Sequence, residues 1–107
     1  MVEFLLQRDG ELVSIRNGQG LTPLHIAAQK GSVAVVKLLL DNKSDINARD
    51  YSNGQTALHM AAERGHTFVV KLLLDRDANA AITNTKGKTA LDKAASKGHN
   101  AVTQLLR

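Results

Sequence analysis

Four histidines are the side chains of this 107-residue sequence with the greatest capacity for acid–base or metal chemistry, because the chain contains no cysteine. A metal site needs ligands that converge on one point, and a general base needs a reacting group beside it. His25 and His59 both end a Thr-x-Leu-His segment, and His66 and His99 both follow a glycine. Residues at equivalent places of a repeat are held apart when the repeats stack. The pattern therefore favours structural roles for all four histidines over ligation or catalysis.

No other arrangement of residues indicates catalysis or cofactor binding. A Ser-His-Asp triad or a pair of catalytic carboxylates cannot be assembled from the sequence. Residues 17–20, Asn-Gly-Gln-Gly, precede a predicted helix but lack the Lys-Ser/Thr ending of a phosphate-binding loop, and they predict a turn. The lack of cysteine removes disulfides and thiolate nucleophiles and favours a reducing compartment. We therefore expect a chain that is not an enzyme and that has no metal, no cofactor and no small-molecule substrate.

The elements that carry the histidines are three copies of one segment. Each copy contains Gly-x-Thr-x-Leu-x-x-Ala-Ala, and the threonines Thr22, Thr56 and Thr89 are 34 and 33 residues apart. Residues 20–41 and 54–75 are identical at 14 of 22 positions. A fold with a single core does not require such self-similarity, and the sequence therefore predicts a stack of similar units.

Each copy predicts a pair of short antiparallel helices. In the first copy, Thr22 can cap a helix that begins at Pro23, where the missing N–H group has no cost. Gly31 can end this helix in the left-handed conformation. A second helix follows through residues 35–40, with a largely apolar surface. The turn-rich residues 45–54 then predict an extended excursion that ends in a tight turn.

These motifs resemble the ankyrin repeat family. The resemblance is carried by Thr-Pro-Leu-His at 22–25, Thr-Ala-Leu-His at 56–59, the Ala-Ala pairs, the twice-repeated Val-Val-Lys-Leu-Leu-Leu, and Asp-Ile-Asn-Ala at 45–48. It implies an all-α solenoid of stacked helix-turn-helix units with β-hairpin tips. In the family, the histidine of the Thr-x-Leu-His segment bonds locally and ties neighbouring repeats together. The expected domain, residues 1–107, consists of a partial N-terminal repeat (1–19), two repeats (20–53 and 54–86) and a C-terminal capping repeat (87–107).

Departures from the family pattern occur at both ends and after the second helices. Residues 2–8 align with a second helix, so the first unit lacks its first helix. Without that partner helix, the apolar residues 4–6 form an exposed edge that is expected to fray or self-associate. In the last unit, Asp92 replaces the motif histidine and the helix pair is more polar, which is typical of a terminal repeat. Lys43 and Asp77 stand where the family has a glycine.

The resemblance implies a protein–protein interaction module without catalysis. In the family, partners usually bind the concave surface that the hairpin tips and the first helices form. Six of the residues at the corresponding positions are basic and one is acidic, so an acidic protein surface or segment is the expected partner. These predicted contact residues are Gln19, Leu21, Gln29, Lys30, Arg49, Tyr51, Ser52, Gln55, Glu63, Arg64, Thr83, Thr85, Lys86, Lys88, Ser96 and Lys97.

A basic surface has two other interpretations. It can attract the phosphates of nucleic acid nonspecifically, or it can serve only for solubility. Nucleic-acid binding is disfavoured because only 3% of the residues are aromatic, which leaves few side chains to stack on bases.

Tyr51 lies in a tip, where partner contact and packing against the neighbouring tip both remain open. Phe68 takes the position of Ala34 and Ala101 near the start of a second helix, so it is expected to lie partly exposed on the outer face. Packing is favoured there over binding.

The sequence contains no apolar run near the roughly 20 residues that span a bilayer. No basic leader with a cleavage site follows Met1, so we expect an intracellular protein in the cytoplasm or nucleus.

The resemblance implies that Asn47 matches a hairpin asparagine that asparaginyl hydroxylases modify in many ankyrin repeats. The aligned residue in the next unit is Ala81. Asn47 is therefore the one hydroxylation site that we expect.

Overall fold

The computed structural model describes residues 17–107, and the predictions for residues 2–8 lie outside this part of the chain. The described residues form six short α-helices and contain no β-strand. In chain order the helices are α1 (Pro23–Lys30), α2 (Val33–Asp41), α3 (Ala57–Arg64), α4 (Thr67–Asp75), α5 (Ala90–Ser96) and α6 (Asn100–Leu106). We call α1, α3 and α5 the first helices, and α2, α4 and α6 the second helices, of three successive units.

The first helices begin at threonines. The hydroxyl of Thr22 accepts the backbone N–H of the residue three positions later, and the same cap recurs at Thr56 and Thr89. Pro23 occupies the first position of α1, where a helix needs no N–H donor. Gly31 ends α1 with a φ of 76°, in the left-handed region. Local chemistry thus determines both ends of a two-turn helix, as the sequence predicts.

The six helices form two layers. In one layer α3 packs between α1 and α5, in the other α4 packs between α2 and α6, and each first helix packs against the second helix of its own unit. Ala28, Ala61 and Ala62 are completely buried, which allows neighbouring helices to approach closely. Larger buried side chains fill the space between the layers. They include Leu24, Val36, Leu39, Leu58, Val70 and Leu73.

Tight turns, which we call the tips, join one unit to the next. The backbone N–H of Tyr51 donates to the carbonyl of Gln19 at 3.1 Å, and that of Thr85 donates to the carbonyl of Asn53 at 2.9 Å. Backbone hydrogen bonds therefore connect successive tips, and in residues 17–107 the predicted hairpins have no extended strands. The tips are residues 17–20, 50–54 and 84–87.

Ala62→Leu is expected to lower the free energy of unfolding by about 1–3 kcal/mol, because a larger side chain overpacks the contact between closely spaced helices. Ala95→Leu is the matched control, since Ala95 holds the same position in the third unit but is exposed. Its effect should stay within about 0.5 kcal/mol. Urea denaturation measures both values, and equal losses in the two variants would contradict this packing.

Lys43 and Asp77, which follow the second helices α2 and α4, both have a φ of 69°. A residue with a Cβ atom is strained in this left-handed region by roughly 1–2 kcal/mol. Aspartate tolerates the conformation better than lysine does, because its short side chain can hydrogen-bond locally. Lys43 is therefore the more strained of the two positions.

Lys43→Gly is expected to raise the free energy of unfolding by about 0.5–1 kcal/mol, because the relief of strain exceeds the entropy that glycine adds to the unfolded chain. Lys43→Ala removes the same side chain but keeps the Cβ atom, and it should change stability by no more than about 0.5 kcal/mol. Chemical denaturation compares the two variants. A glycine variant that is no more stable than the alanine variant would show that the left-handed backbone is not strained.

Candidate functional site

His25 and His59 join each unit to the unit that follows. Both residues are 1% exposed. The Nδ1 atom of His25 accepts the backbone N–H of Thr22 at 3.0 Å, and its Nε2 atom lies 2.8 Å from the carbonyl oxygen of Gln55. A backbone N–H can only donate and a carbonyl can only accept, so the ring is the neutral tautomer with its proton on Nε2. His59 makes the equivalent bonds in the next unit.

His66 and His99 join each unit to the unit that precedes it. The Nε2 atom of His66 donates to the carbonyl of Gln29, and that of His99 donates to the carbonyl of Glu63, both at 2.9 Å. The ring of His66 also lies against Gly31, where an added Cβ atom would come within 2.7 Å of the ring Nδ1. All four histidines thus make bonds between units, which is the structural role that the sequence favours. In residues 17–107, no group of three or more acidic or histidine side chains could hold a metal ion.

Asp92 occupies the place of His25 and His59 in the third unit. One of its carboxylate oxygens accepts the backbone N–H of Thr89 at 3.0 Å. This bond lowers the pKa of Asp92, with the Thr89 hydroxyl and the charge of Lys88 acting in the same direction. A carboxylate can complete the helix cap, but it has no N–H with which to bind a further carbonyl.

Burial lowers the pKa of His59 below the ordinary value of 6.5. The hydrogen bond to the carbonyl of Lys88 opposes this shift, and the positive charges of Lys93 and Arg49 reinforce it. Asp50 acts weakly in the opposite direction. The neutral ring is also the form that the geometry requires, since a protonated Nδ1 could not accept the N–H of the cap.

Stability is expected to decrease as the pH falls below about 6.5, because the unfolded chain binds a proton at His59 more tightly than the folded chain does. The contribution of the neutral His59 ring to the free energy of unfolding is complete above pH 6.5 and is lost as the pH decreases through the lowered pKa. His59→Gln lacks this titration. Urea denaturation from neutral to mildly acidic pH should show that the difference in unfolding free energy between the parent and the variant becomes smaller. A difference that stays constant with pH would contradict a lowered pKa at His59.

The surface formed by the tips, the first helices and the residues that flank them, which we call the concave surface, contains the sixteen predicted contact residues. Fifteen of them are exposed or half-buried. Gln55 differs from the expectation, because only 7% of it is exposed. Its backbone carbonyl accepts from His25, and its side-chain oxygen accepts from the amide of Asn84 at 3.3 Å. Gln55 therefore helps to hold adjacent units together in the free chain.

A groove with a volume of about 450 Å³ runs between the tips and the first helices of the first two units. Asp50, Asn53 and Met60 contribute to its walls and were not predicted from the sequence. A smaller hollow of about 190 Å³ follows towards the third unit and includes Lys93. Lys93 holds in the third unit the position that Met60 holds in the second. A basic residue at this position is the feature of the sequence that could have identified Lys93 as part of the site. The predicted residues that line the larger groove are Gln19, Leu21, Gln29, Ser52, Gln55, Glu63 and Arg64.

Positive charge dominates the concave surface, because its acidic groups are already engaged. Glu63 forms an ion pair with Lys93, with 3.5 Å between Oε2 and Nζ. Asp50 is buried, and its Oδ1 atom accepts the backbone N–H groups of Asn53 and Gln55. Five of the basic contact residues form no ion pair with any residue of 17–107. These five are Lys30, Arg64, Lys86, Lys88 and Lys97.

Arg49, the sixth basic contact residue, is exposed but held in place. Its Nε atom donates to the carbonyl of Gly54 at 3.1 Å, and a terminal guanidinium nitrogen donates to the carbonyl of Thr83 at 2.8 Å. Thr83 precedes the third tip, so the side chain of Arg49 bridges two units. Arg49 therefore adds positive charge to the surface and also stabilises the arrangement of the tips.

The two aromatic residues singled out from the sequence are both largely exposed. Tyr51 is 70% exposed, yet its ring lies directly over Gly20 of the preceding tip. It therefore packs against the neighbouring tip and still offers surface to a partner. Phe68 is 74% exposed, in agreement with its expected position on the outer face, and the preference for packing over binding stays a prediction. Its position on the outer side of α4 is not covered by a neighbouring unit.

Asn47, the predicted hydroxylation site, links two units through its side chain. Its Oδ1 atom accepts the backbone N–H of Asn79 at 2.9 Å, and its own backbone N–H donates to the carboxylate of Asp45. The residue is half-buried. Hydroxylation of Asn47 stays a prediction.

In the part of the chain from residue 17 onwards, no helix has the length and apolar character needed to cross a membrane.

Family models match almost all of the described residues. A model for ankyrin repeats in three copies matches residues 50–107, and a model for a single ankyrin repeat matches residues 19–51. An ankyrin repeat protein of Rickettsia bellii (strain RML369-C) is 49% identical over 49 residues, which cover 46% of this chain and 20% of that protein.

Two further relatives are larger proteins. Delta-latroinsectotoxin-Lt1a of Latrodectus tredecimguttatus is 40% identical over 48 residues, 45% of this chain and 4% of the toxin. The serine/threonine-protein kinase VIK of Arabidopsis thaliana is 45% identical over 49 residues, 46% of this chain and 11% of the kinase. The chain spans a fifth or less of the length of these three relatives.

Proposed function

Since the chain belongs to the ankyrin repeat family, we propose that its concave surface binds a partner protein through an acidic surface or segment. Ankyrin repeats are generally protein–protein interaction modules without catalytic activity. The observation that carries the proposal is the charge imbalance of this surface. Five exposed cations have no ion-pair partner in residues 17–107, whereas Glu63 and Asp50 are both engaged.

The shape of the concave surface suits a segment or loop of a partner. The groove of about 450 Å³ is open between the tips and the first helices, and its walls are mostly polar side chains. Tyr51 stands on the second tip with most of its ring exposed, and its contact with Gly20 restricts its motion. An aromatic side chain that is already held in place loses little entropy on binding, so Tyr51 is a suitable anchor.

Nonspecific nucleic-acid binding is the second candidate, because phosphates would be attracted to the same cations. Proteins that bind single strands usually add aromatic side chains on which bases stack. On the concave surface, Tyr51 alone among the predicted contact residues offers such a ring. A protein partner is therefore favoured.

Charge reversal on the concave surface, Arg64→Glu with Lys88→Glu, should slow the association of a short peptide of alternating glutamate and serine. We expect an association rate constant about tenfold lower at low salt, with a weaker dependence on salt, because exposed charges act mainly on encounter. Tyr51→Ala should instead increase the dissociation rate. Stopped-flow fluorescence with a labelled peptide measures both rates.

The matched control is reversal of two cations on the second helices, Lys37→Glu with Lys71→Glu, which changes the net charge equally. If this control variant binds the peptide more weakly than the concave variant does, the binding surface lies on the second helices. A thymidine oligonucleotide of the same charge distinguishes the second candidate. Tighter binding of the oligonucleotide than of the peptide at physiological salt would favour nucleic acid over protein.

A further inference from the structure

The turns that join the first and second helices form another edge of the stack, which we call the turn edge and define as residues 30–34 and 64–68. We propose that the turn edge is a second docking surface, which binds a protein segment carrying an apolar side chain flanked by carboxylates. The residues that line the cleft of the turn edge do not line the groove of the concave surface, but the two surfaces share the cations Lys30 and Arg64.

The turn edge contains an apolar cleft with a volume of about 290 Å³. Val33 and Phe68 line the cleft and are 40% and 74% exposed. In residues 17–107, the other two large hydrophobic residues that are at least 40% exposed are Leu38 and Tyr51. Half of the strongly exposed large apolar side chains thus flank a single cleft, which favours burial of an apolar group from outside.

The fold itself does not require a phenylalanine at position 68. The equivalent positions in the other two units are Ala34 and Ala101, and both alanines are exposed. Phe68 is itself 74% exposed, so neighbouring units leave most of its surface uncovered. Phe68 increases the apolar surface of the cleft in the middle unit alone.

The floor of the cleft is held by contacts between units. The ring of His66 lies against Gly31, and its Nε2 atom donates to the carbonyl of Gln29 at 2.9 Å. Gly31 and Gly65 both adopt the left-handed conformation that ends a first helix. A cleft with such a floor is present before a partner arrives, which lowers the entropic cost of binding.

Charge determines the kind of segment that fits the cleft. No carboxylate lines it. Lys30 and Arg64 are exposed residues at the ends of α1 and α3, and they directly precede the two glycines of the cleft. The nearest acidic residue in the sequence, Glu63, is engaged by Lys93. Carboxylates on either side of an apolar residue would therefore meet positive charge without an opposing negative one.

An anionic membrane surface would offer related chemistry, but the turn edge suits it less well. Recognition of anionic lipid by a basic cluster usually involves roughly four to eight lysines or arginines. Only Lys30 and Arg64 carry permanent positive charge within the two segments of the turn edge. The cleft is also concave, whereas insertion into a bilayer requires projecting side chains. We therefore commit to a protein segment.

Selection of a random peptide library displayed on phage, with the full chain immobilised, tests the proposal without a known partner. The enriched peptides should share an aromatic or large aliphatic residue with aspartate or glutamate within a few positions on both sides. Phe68→Ala should weaken the binding of the best synthetic peptide by at least about tenfold. This variant places at position 68 the alanine that the other two units already have, so folding is preserved. Lys30→Glu should weaken binding by about threefold.

Tyr51→Ala is the matched control, because it removes the other strongly exposed aromatic ring and should change this affinity by less than about twofold. Enrichment of no common pattern, or of peptides whose affinity is unaffected by Phe68→Ala, would overturn the proposal. If peptide binding depends on Tyr51 but not on Phe68, the concave surface is functional and the turn edge is not. Binding to phosphatidylserine vesicles that is as strong as peptide binding and depends on Phe68 would overturn the protein segment in favour of a membrane.

Discussion

Hydrogen bonds from histidine rings to the backbone carbonyls of adjacent units are the contacts on which the rest of the stack depends. His25 and His59 bond forwards, and His66 and His99 bond backwards. A pair of short helices cannot bury its apolar face alone, so each unit needs its neighbours. Directional bonds between units select one register from the many that alanine and leucine surfaces could adopt. That register places the tips and the first helices side by side.

The same bonds connect the framework to the surface that we propose for binding. His25 binds the carbonyl of Gln55, and the side chain of Gln55 accepts from Asn84 of the next tip. Arg49 and Asn47 add bonds that cross from one unit to the next. The cations of the concave surface therefore stand on a scaffold with little freedom, so a partner meets a surface that is largely ordered in advance.

Much of the fold could be predicted because its signals are local. Thr22, Pro23 and Gly31 determine one helix whatever surrounds them, and the spacing of the threonines predicts the stack. The exposure of individual side chains depends on neighbouring units, which a single repeat does not reveal. For this reason Gln55 is buried although it aligns with variable positions of the family. The ion pair between Glu63 and Lys93 joins two units and likewise has no local signal.

Backbone amide NMR during titration with a glutamate-rich peptide that lacks apolar residues tests the central claim most directly, namely that the tips and the first helices form a basic surface that binds acidic segments. The account predicts that shift changes concentrate in the tips and the first helices, including Ser52, Arg64 and Lys88, and that α2 and α4 change little. Shift changes concentrated in α2 and α4, or spread evenly over the chain, would contradict it.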